Sequence, residues 1–170
     1  MGQNLTGTTV YDSEMEWFVW RVQGEGRPET VSKNIYDSAT KTYHQLLMLP
    51  NDHVERGTFK RINKNEAILK SEVFNGDNEV VATQEINFTR IDSDVTEPNE
   101  PNDKKLTAEE VEKILAAQIG QWQVKGQLTP ANEEPIAYEF TLNVQWQEKG
   151  KSISSTGTLE KAGEKISLFS

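Results

Sequence analysis

The strict alternation of apolar and polar residues over residues 136–147 constrains this chain more than any other feature of its sequence. Its apolar members share one face of an extended strand: Ile136, Tyr138, Phe140, Leu142, Val144 and Trp146. The residues between them are polar except Ala137, so the segment predicts an amphipathic β-strand with one buried face. The same period of two recurs less strictly in residues 80–90 and 122–128.

Further strands are predicted by short apolar segments that turn residues separate. These segments are residues 5–11, 14–23, 30–36, 41–49, 53–62, 66–74, 151–160 and 164–169. Short strands joined by turns of hairpin length are typical of an antiparallel meander. We therefore expect one mainly β domain over residues 1–170, an antiparallel up-and-down barrel of about 8–10 strands with one short helix.

One internal stretch interrupts the strands. Residues 92–105 carry acids, asparagines and prolines without a hydrophobic period, and we interpret them as a solvated acidic linker. Residues 106–118 predict the helix, because Thr107 and Glu110 have the spacing of a capping box. The apolar stripe of this helix comprises Val111, Ile114, Leu115 and Ile119.

Composition excludes several functions. The chain has 27 acidic and 18 basic residues, a net charge of −9, which argues against nucleic acid and anionic membranes as partners. It has no cysteine, and its only histidines, His44 and His53, lack the spacing of metal ligands, so we predict no metal site and no cofactor. No nucleophile elbow or phosphate-binding loop is present, and we expect no catalytic residues and no enzymatic activity.

A short helix that leads into Gly120-Gln121-Trp122 resembles the start of the calycin-like barrels, which include lipocalins, fatty-acid-binding proteins and nitrobindin-type barrels. In those families an Arg of the last strand typically lies across that Trp. The matching residue here is Arg90, at the end of a predicted strand. The resemblance therefore implies a guanidinium–indole contact that braces the barrel closure, worth about 0.5–2 kcal/mol.

The order of the segments is unusual for this group. Residues 36–43 resemble a strand-turn-strand of an uncharacterised bacterial family of such barrels, where that segment follows the Gly-x-Trp strand; here it comes first. The resemblance implies a circularly permuted barrel, with residues 1–91 as the second half of the pattern and residues 119–170 as the first half. The alternative is two half-barrels completed by exchange with a second chain, which makes a homodimer.

The resemblance implies a non-enzymatic barrel that binds a small apolar ligand. The expected ligand-binding residues are Trp122, Arg90, Phe88, Phe140, Leu142 and Trp146. A second interpretation is a structural or protein-interaction module with a filled barrel, whose outer face around Trp17 and Val19 binds a partner. A third is a haem-binding barrel, since nitrobindin-type barrels hold haem through one histidine, and His44 is the candidate.

Overall fold

The computed structural model of the chain describes residues 3–24, 29–37, 39–92 and 106–160. Within these ranges the chain forms ten strands and one helix. The strands are β1 (Gln3–Asp12), β2 (Trp17–Gly24), β3 (Thr30–Asp37), β4 (Thr42–Met48), β5 (Val54–Asn63), β6 (Glu66–Phe74), β7 (Val80–Arg90), β8 (Gly120–Pro130), β9 (Ile136–Glu148) and β10 (Ser152–Glu160). Helix α1 (Ala108–Ala116) lies between β7 and β8. The strand predicted at 164–169 and nearly all of the predicted linker lie outside the described residues.

All ten strands belong to one sheet that closes on itself. Each strand pairs antiparallel with its neighbours in sequence, and β1 also pairs with β10, from Gln3 opposite Leu159 to Val10 opposite Ser152. The molecule is therefore an up-and-down meander in which the first strand is hydrogen-bonded to the last. The expected fold class, a mainly β antiparallel barrel with one short helix, is confirmed.

In β9 the alternating apolar residues face the inside of the barrel and the polar residues between them face outward, as the sequence indicates. Tyr138 and Val144 are buried and Phe140 is half-buried, whereas Glu139 and Thr141 on the opposite face are exposed. A residue whose side chain faces inward on one strand lies opposite an inward residue on the next, because paired positions in a sheet share a face. The cross-strand register therefore identifies the inward face of every strand from these few buried positions.

Helix α1 covers one end of the barrel. Its buried residues Val111, Ile114 and Leu115 pack in one cluster with Phe18 and Trp122, which lie at the beginnings of β2 and β8. The predicted capping box is confirmed, since the Thr107 hydroxyl accepts from the backbone N–H of residue 110 at 3.2 Å and the carboxylate there accepts from the Thr107 N–H at 2.7 Å. Among the described residues, no helix is long and apolar enough to span a membrane.

Candidate functional site

A cavity of about 530 Å³ lies inside the barrel beside α1. Most of its lining is aromatic or aliphatic and comes from opposite sides of the wall, including Trp20, Phe59, Phe88, Trp122, Phe140, Leu142, Val144 and Ile153. Small-molecule sites in proteins are typically concave, mostly apolar and about 300–1,000 Å³ in volume. The interior cavity thus has the size and lining that such a site needs.

The structure brings four of the six predicted ligand-binding residues together. Trp122 on β8, Phe88 on β7, and Phe140 and Leu142 on β9 all line the cavity. Trp146 shares the inward face of β9 but is not part of the lining; it packs against the cluster that includes α1. The sixth residue, Arg90, also lies outside the lining.

Arg90 and Trp122 are directly opposite each other where β7 pairs with β8. The guanidinium carbon of Arg90 lies 4.2 Å from the centroid of the Trp122 ring, so the contact implied by the family resemblance is present. The indole Nε1 donates a hydrogen bond to the Gln118 carbonyl oxygen at 2.9 Å, which ties the ring to the residues after α1. The Trp122 ring therefore contacts a buried cation and also lines the cavity.

The Arg90 guanidinium connects three segments at the covered end of the barrel. Its Nε donates to the Lys64 carbonyl oxygen in the β5–β6 turn at 3.1 Å, and Nη2 donates to the Ala117 carbonyl oxygen after α1 at 2.8 Å. Nη1 donates to the Ile119 carbonyl oxygen and lies 3.5 Å from the Asp92 carboxylate. Because the last carbonyls of a helix lack partners within the helix, a cation placed there stabilises the helix end.

Arg90 keeps its charge although its side chain is buried. The Arg90 side chain is only 1% exposed. Desolvation lowers the pKa of its guanidinium, and the Asp92 carboxylate opposes that shift. Since an arginine stays charged at any pH a protein tolerates, the closure contains a permanent buried cation that is satisfied by carbonyl oxygens and an indole face. These contacts are the ones expected of a residue that braces this end of the barrel.

The charged residues of the described cavity lining are all basic. Lys41 and Lys64 are exposed and also line the cavity, so the cavity reaches solvent beside them. Arg61 lines it next to them, and its guanidinium donates to the carbonyl oxygens of Asn63 and Lys64, both at 3.0 Å. We call Lys41, Arg61 and Lys64 the cationic rim. Within the described part of the chain, no Asp or Glu lines this cavity.

Tyr43 lies at the inner side of the cationic rim. Burial, with a smaller contribution from Tyr36, raises the pKa of the Tyr43 hydroxyl, while the Arg61 guanidinium and the Gln118 side chain lower it in part. Tyr43, Arg61 and Gln118 all line the cavity. None of these three residues is recognisable as a lining residue in the sequence, because their strands and turns do not alternate clearly enough to show which side chains face inward.

The two histidines lie away from the cavity lining. The His44 side chain is 56% exposed on β4, with Nε2 4.0 Å from a carboxylate oxygen of Asp37. His53 lies in the turn after β4, with Nδ1 2.9 Å from the Asn51 carbonyl oxygen. A haem inside the barrel therefore has no support from the position of His44. The described residues contain no group of three or more His, Asp or Glu placed to hold a metal ion.

A second concavity, of about 1070 Å³, lies on the outer wall of the barrel. Trp17 contributes to this outer groove, and the Nζ atom of Lys33 lies 4.3 Å from the centroid of its ring. Two exposed apolar side chains, Ile35 and Leu46, line the same groove. The outer face predicted around Trp17 is thus a groove with mixed apolar and charged lining.

Glu55 is a buried carboxyl group whose burial the local sequence does not indicate. It lies at an inward position of β5 and is only 2% exposed. Burial raises the pKa of this carboxyl. Ser71 lies close enough to lower the pKa in part, although its Oγ forms no hydrogen bond of normal geometry. The signal available in the sequence was its spacing of four residues from Phe59, which also faces inward.

Comparisons of the chain with protein-family models, with curated proteins and with solved structures gave no match. The described residues define the class as a closed ten-stranded antiparallel β-barrel with one helix and an interior cavity. A functional assignment therefore depends on the chemistry of the cavity and of the outer groove.

Proposed function

We propose that the chain is a non-enzymatic, calycin-like barrel that binds a small, largely apolar ligand in its interior cavity. The observation that carries this proposal is the cavity of about 530 Å³ with Trp122, Phe88, Phe140 and Leu142 in its lining. Transfer of apolar surface from water into such a lining is favourable by about 25 cal/mol for each Å² buried. Burial of a ligand's apolar surface against this lining therefore favours binding.

The calycin-like assignment is supported by the contacts where β7 pairs with β8. A helix precedes β8, Gly120 and Trp122 begin that strand, and Arg90 at the end of β7 lies across the indole. A chain cut between β7 and β8 and joined from β10 to β1 has the order usual for the group, with β8 first and β7 last. The antiparallel pairing of β1 with β10 is the pairing that a single permuted barrel requires.

Binding of the neutral fluorescent probe N-phenyl-1-naphthylamine tests the proposal. We expect saturable binding at micromolar concentration, with a fluorescence increase as the probe leaves water. Leu142→Trp places a larger side chain in the cavity and should abolish binding. Thr141→Trp adds the same group on the exposed outer face of β9 and should leave binding unchanged. Absence of probe binding, or equal binding to both variants, contradicts ligand binding in the cavity.

A second candidate function is protein interaction through the outer groove, including self-association. The supporting observation is exposed apolar surface in the groove, where the Ile35 residue is 54% exposed and the Leu46 residue is 43% exposed. Native mass spectrometry of the purified protein reports the oligomeric state and any retained ligand together. If the groove mediates association, Trp17→Glu should shift a dimer to a monomer with the barrel still folded. A dimer that persists in this variant argues against the groove as the interface.

A further inference from the structure

Two buried hydrogen-bond donors in the interior cavity form no hydrogen bond of normal geometry. Five described side-chain polar atoms are buried without a hydrogen bond, and the two that belong to cavity-lining residues are Trp20 Nε1 and Gln118 Nε2. Both are N–H donors. A buried polar group without a partner is unfavourable, and in native proteins it commonly marks the place of a ligand or an ordered water. A ligand with hydrogen-bond acceptor atoms would therefore pair with these two N–H donors.

Basic side chains lie near the Gln118 donor. Its side chain lies near the Tyr43 hydroxyl, and the Arg61 guanidinium is close enough to that hydroxyl to act on its ionisation. Arg61 belongs to the cationic rim, where Lys41 and Lys64 complete a basic border. The chain as a whole has a net charge of −9, so a cavity whose described lining has basic residues and no acidic ones is a marked local exception.

The fourth basic residue of the lining serves another contact. The Arg21 guanidinium forms an ion pair with Glu29, with 3.0 Å between Nη1 and the carboxylate oxygen, and its side chain is half exposed. The described lining of the cavity places no acidic side chain next to the three residues of the cationic rim. Positive potential in a low-dielectric cavity favours an anion over a neutral molecule and disfavours a cation.

We propose that the ligand of the cavity is an amphipathic anion, with its charged group near Gln118 and Arg61 and its apolar body against Phe88, Phe140 and Leu142. This inference rests on the proposed function, since it specifies the chemical class of the molecule bound at the same site. The Gln118 amide and the Arg61 guanidinium supply donors, and the charged group supplies only acceptors. Hydrogen bonds from N–H donors to an ionised acceptor are about twice as strong as those between neutral groups.

The experiment compares two probes that share one ring system. The anion is 1-anilinonaphthalene-8-sulfonate, whose sulfonate is ionised at every accessible pH, and the neutral probe is N-phenyl-1-naphthylamine. We expect the anion to bind about tenfold more tightly at low salt, as one charge-assisted hydrogen bond allows. Raising the ionic strength should weaken binding of the anion more than that of the neutral probe.

Variants assign the preference to particular side chains. Gln118→Leu removes a donor while keeping the size of the side chain, and should reduce the preference for the anion several-fold with little change for the neutral probe. Arg61→Gln should act in the same direction and gives a second reading if the first variant is poorly folded. Gln147→Leu, on the exposed outer face of β9, is the matched control and should retain the preference.

The outcomes separate the two proposals. If neither probe binds, the proposed function fails and this inference fails with it. If both bind equally and Leu142→Trp abolishes binding of each, the cavity binds ligands but the assignment of an anion is overturned, and ordered water satisfies the two donors. If the anion is preferred equally in Gln118→Leu, Arg61→Gln and the unchanged chain, the charged group is bound elsewhere and the inference is wrong.

Discussion

Replacement of Arg90 by Met tests whether the buried guanidinium holds the barrel closed. Met replaces the aliphatic part of the arginine side chain with an unbranched apolar chain. It removes the donors to the carbonyl oxygens of Lys64, Ala117 and Ile119, and it removes the cation from the face of the Trp122 ring. Hydrogen bonds that involve a charged group contribute about 1.5–3 kcal/mol each, and a desolvated cation–π contact contributes about 2 kcal/mol. Their sum is an upper limit, because the removed cation no longer has to be desolvated and the exposed Lys64 turn can recruit water.

We therefore expect Arg90→Met to lower the free energy of unfolding by about 4 kcal/mol, near the upper end for a single substitution. For a chain of this length that corresponds to a decrease in Tm of roughly 10 °C. Urea unfolding followed by tryptophan fluorescence measures the change, because Trp122 lies directly under the guanidinium. Arg90→Lys keeps the charge and loses the planar fork of donors, so its loss should be intermediate.

The matched control is Arg21→Met, which breaks an exposed ion pair with Glu29. Exposed pairs contribute about 0–1 kcal/mol, so this variant should be nearly as stable as the unchanged chain. If Arg90→Met costs less than about 1 kcal/mol, or no more than Arg21→Met, the guanidinium does not brace the closure. Its contacts are then a consequence of the fold and contribute little to its stability.

Three further substitutions test packing, titration and capping. Gly126→Ala places a Cβ 2.1 Å from Cζ of Tyr138 and should lower the free energy of unfolding, measured in urea, by about 1–3 kcal/mol. Gly76→Ala is the control, because its new Cβ has its nearest contact at 3.8 Å and should not change stability. Equal effects of the two substitutions contradict the close packing at Gly126. Because burial raises the pKa of Glu55, the folded chain binds that proton more tightly than the unfolded chain, and stability should decrease as pH rises above the ordinary value of 4.5. Urea midpoints across pH should show this decrease flattened in Glu55→Gln, and an unchanged pH profile counts against a buried carboxyl. Thr107→Ala removes the acceptor at the start of α1 and should cost about 1 kcal/mol in thermal unfolding, while an unchanged Tm indicates that the cap does not stabilise the barrel end.

The sequence predicted those parts of the fold that depend on local geometry. Side-chain direction in a strand is fixed by the pleat, so the alternation in β9 sufficed to identify its inward face. The capping box at Thr107 is equally local, because both of its hydrogen bonds join residues three positions apart. The Arg90–Trp122 contact joins residues distant in sequence, and only the family resemblance made it predictable.

The lining of the cavity could not be predicted in the same way. Trp146 and Leu142 share the inward face of β9, yet only Leu142 reaches the cavity, because position along the barrel axis depends on register and on where the helix packs. Trp20 and Phe59 line the cavity although their strands carry apolar or charged residues on both faces. Gln118 follows the helix, and its contribution depends on the tertiary position of α1.

The pairing of β1 with β10 has a consequence for how the chain is made. The hydrogen bond from the Thr158 hydroxyl to the Asn4 side chain, at 3.1 Å, joins residues 154 positions apart. A ribosome completes β1 first and β10 last, so one edge of β1 stays unpaired for almost the whole of translation. Such a long-range contact is slow to form, and the nascent chain carries an open curved sheet until it does. We expect the β1 amides that bond to β10 to be the last to gain protection from hydrogen exchange, and aggregation during synthesis to begin at that edge of β1.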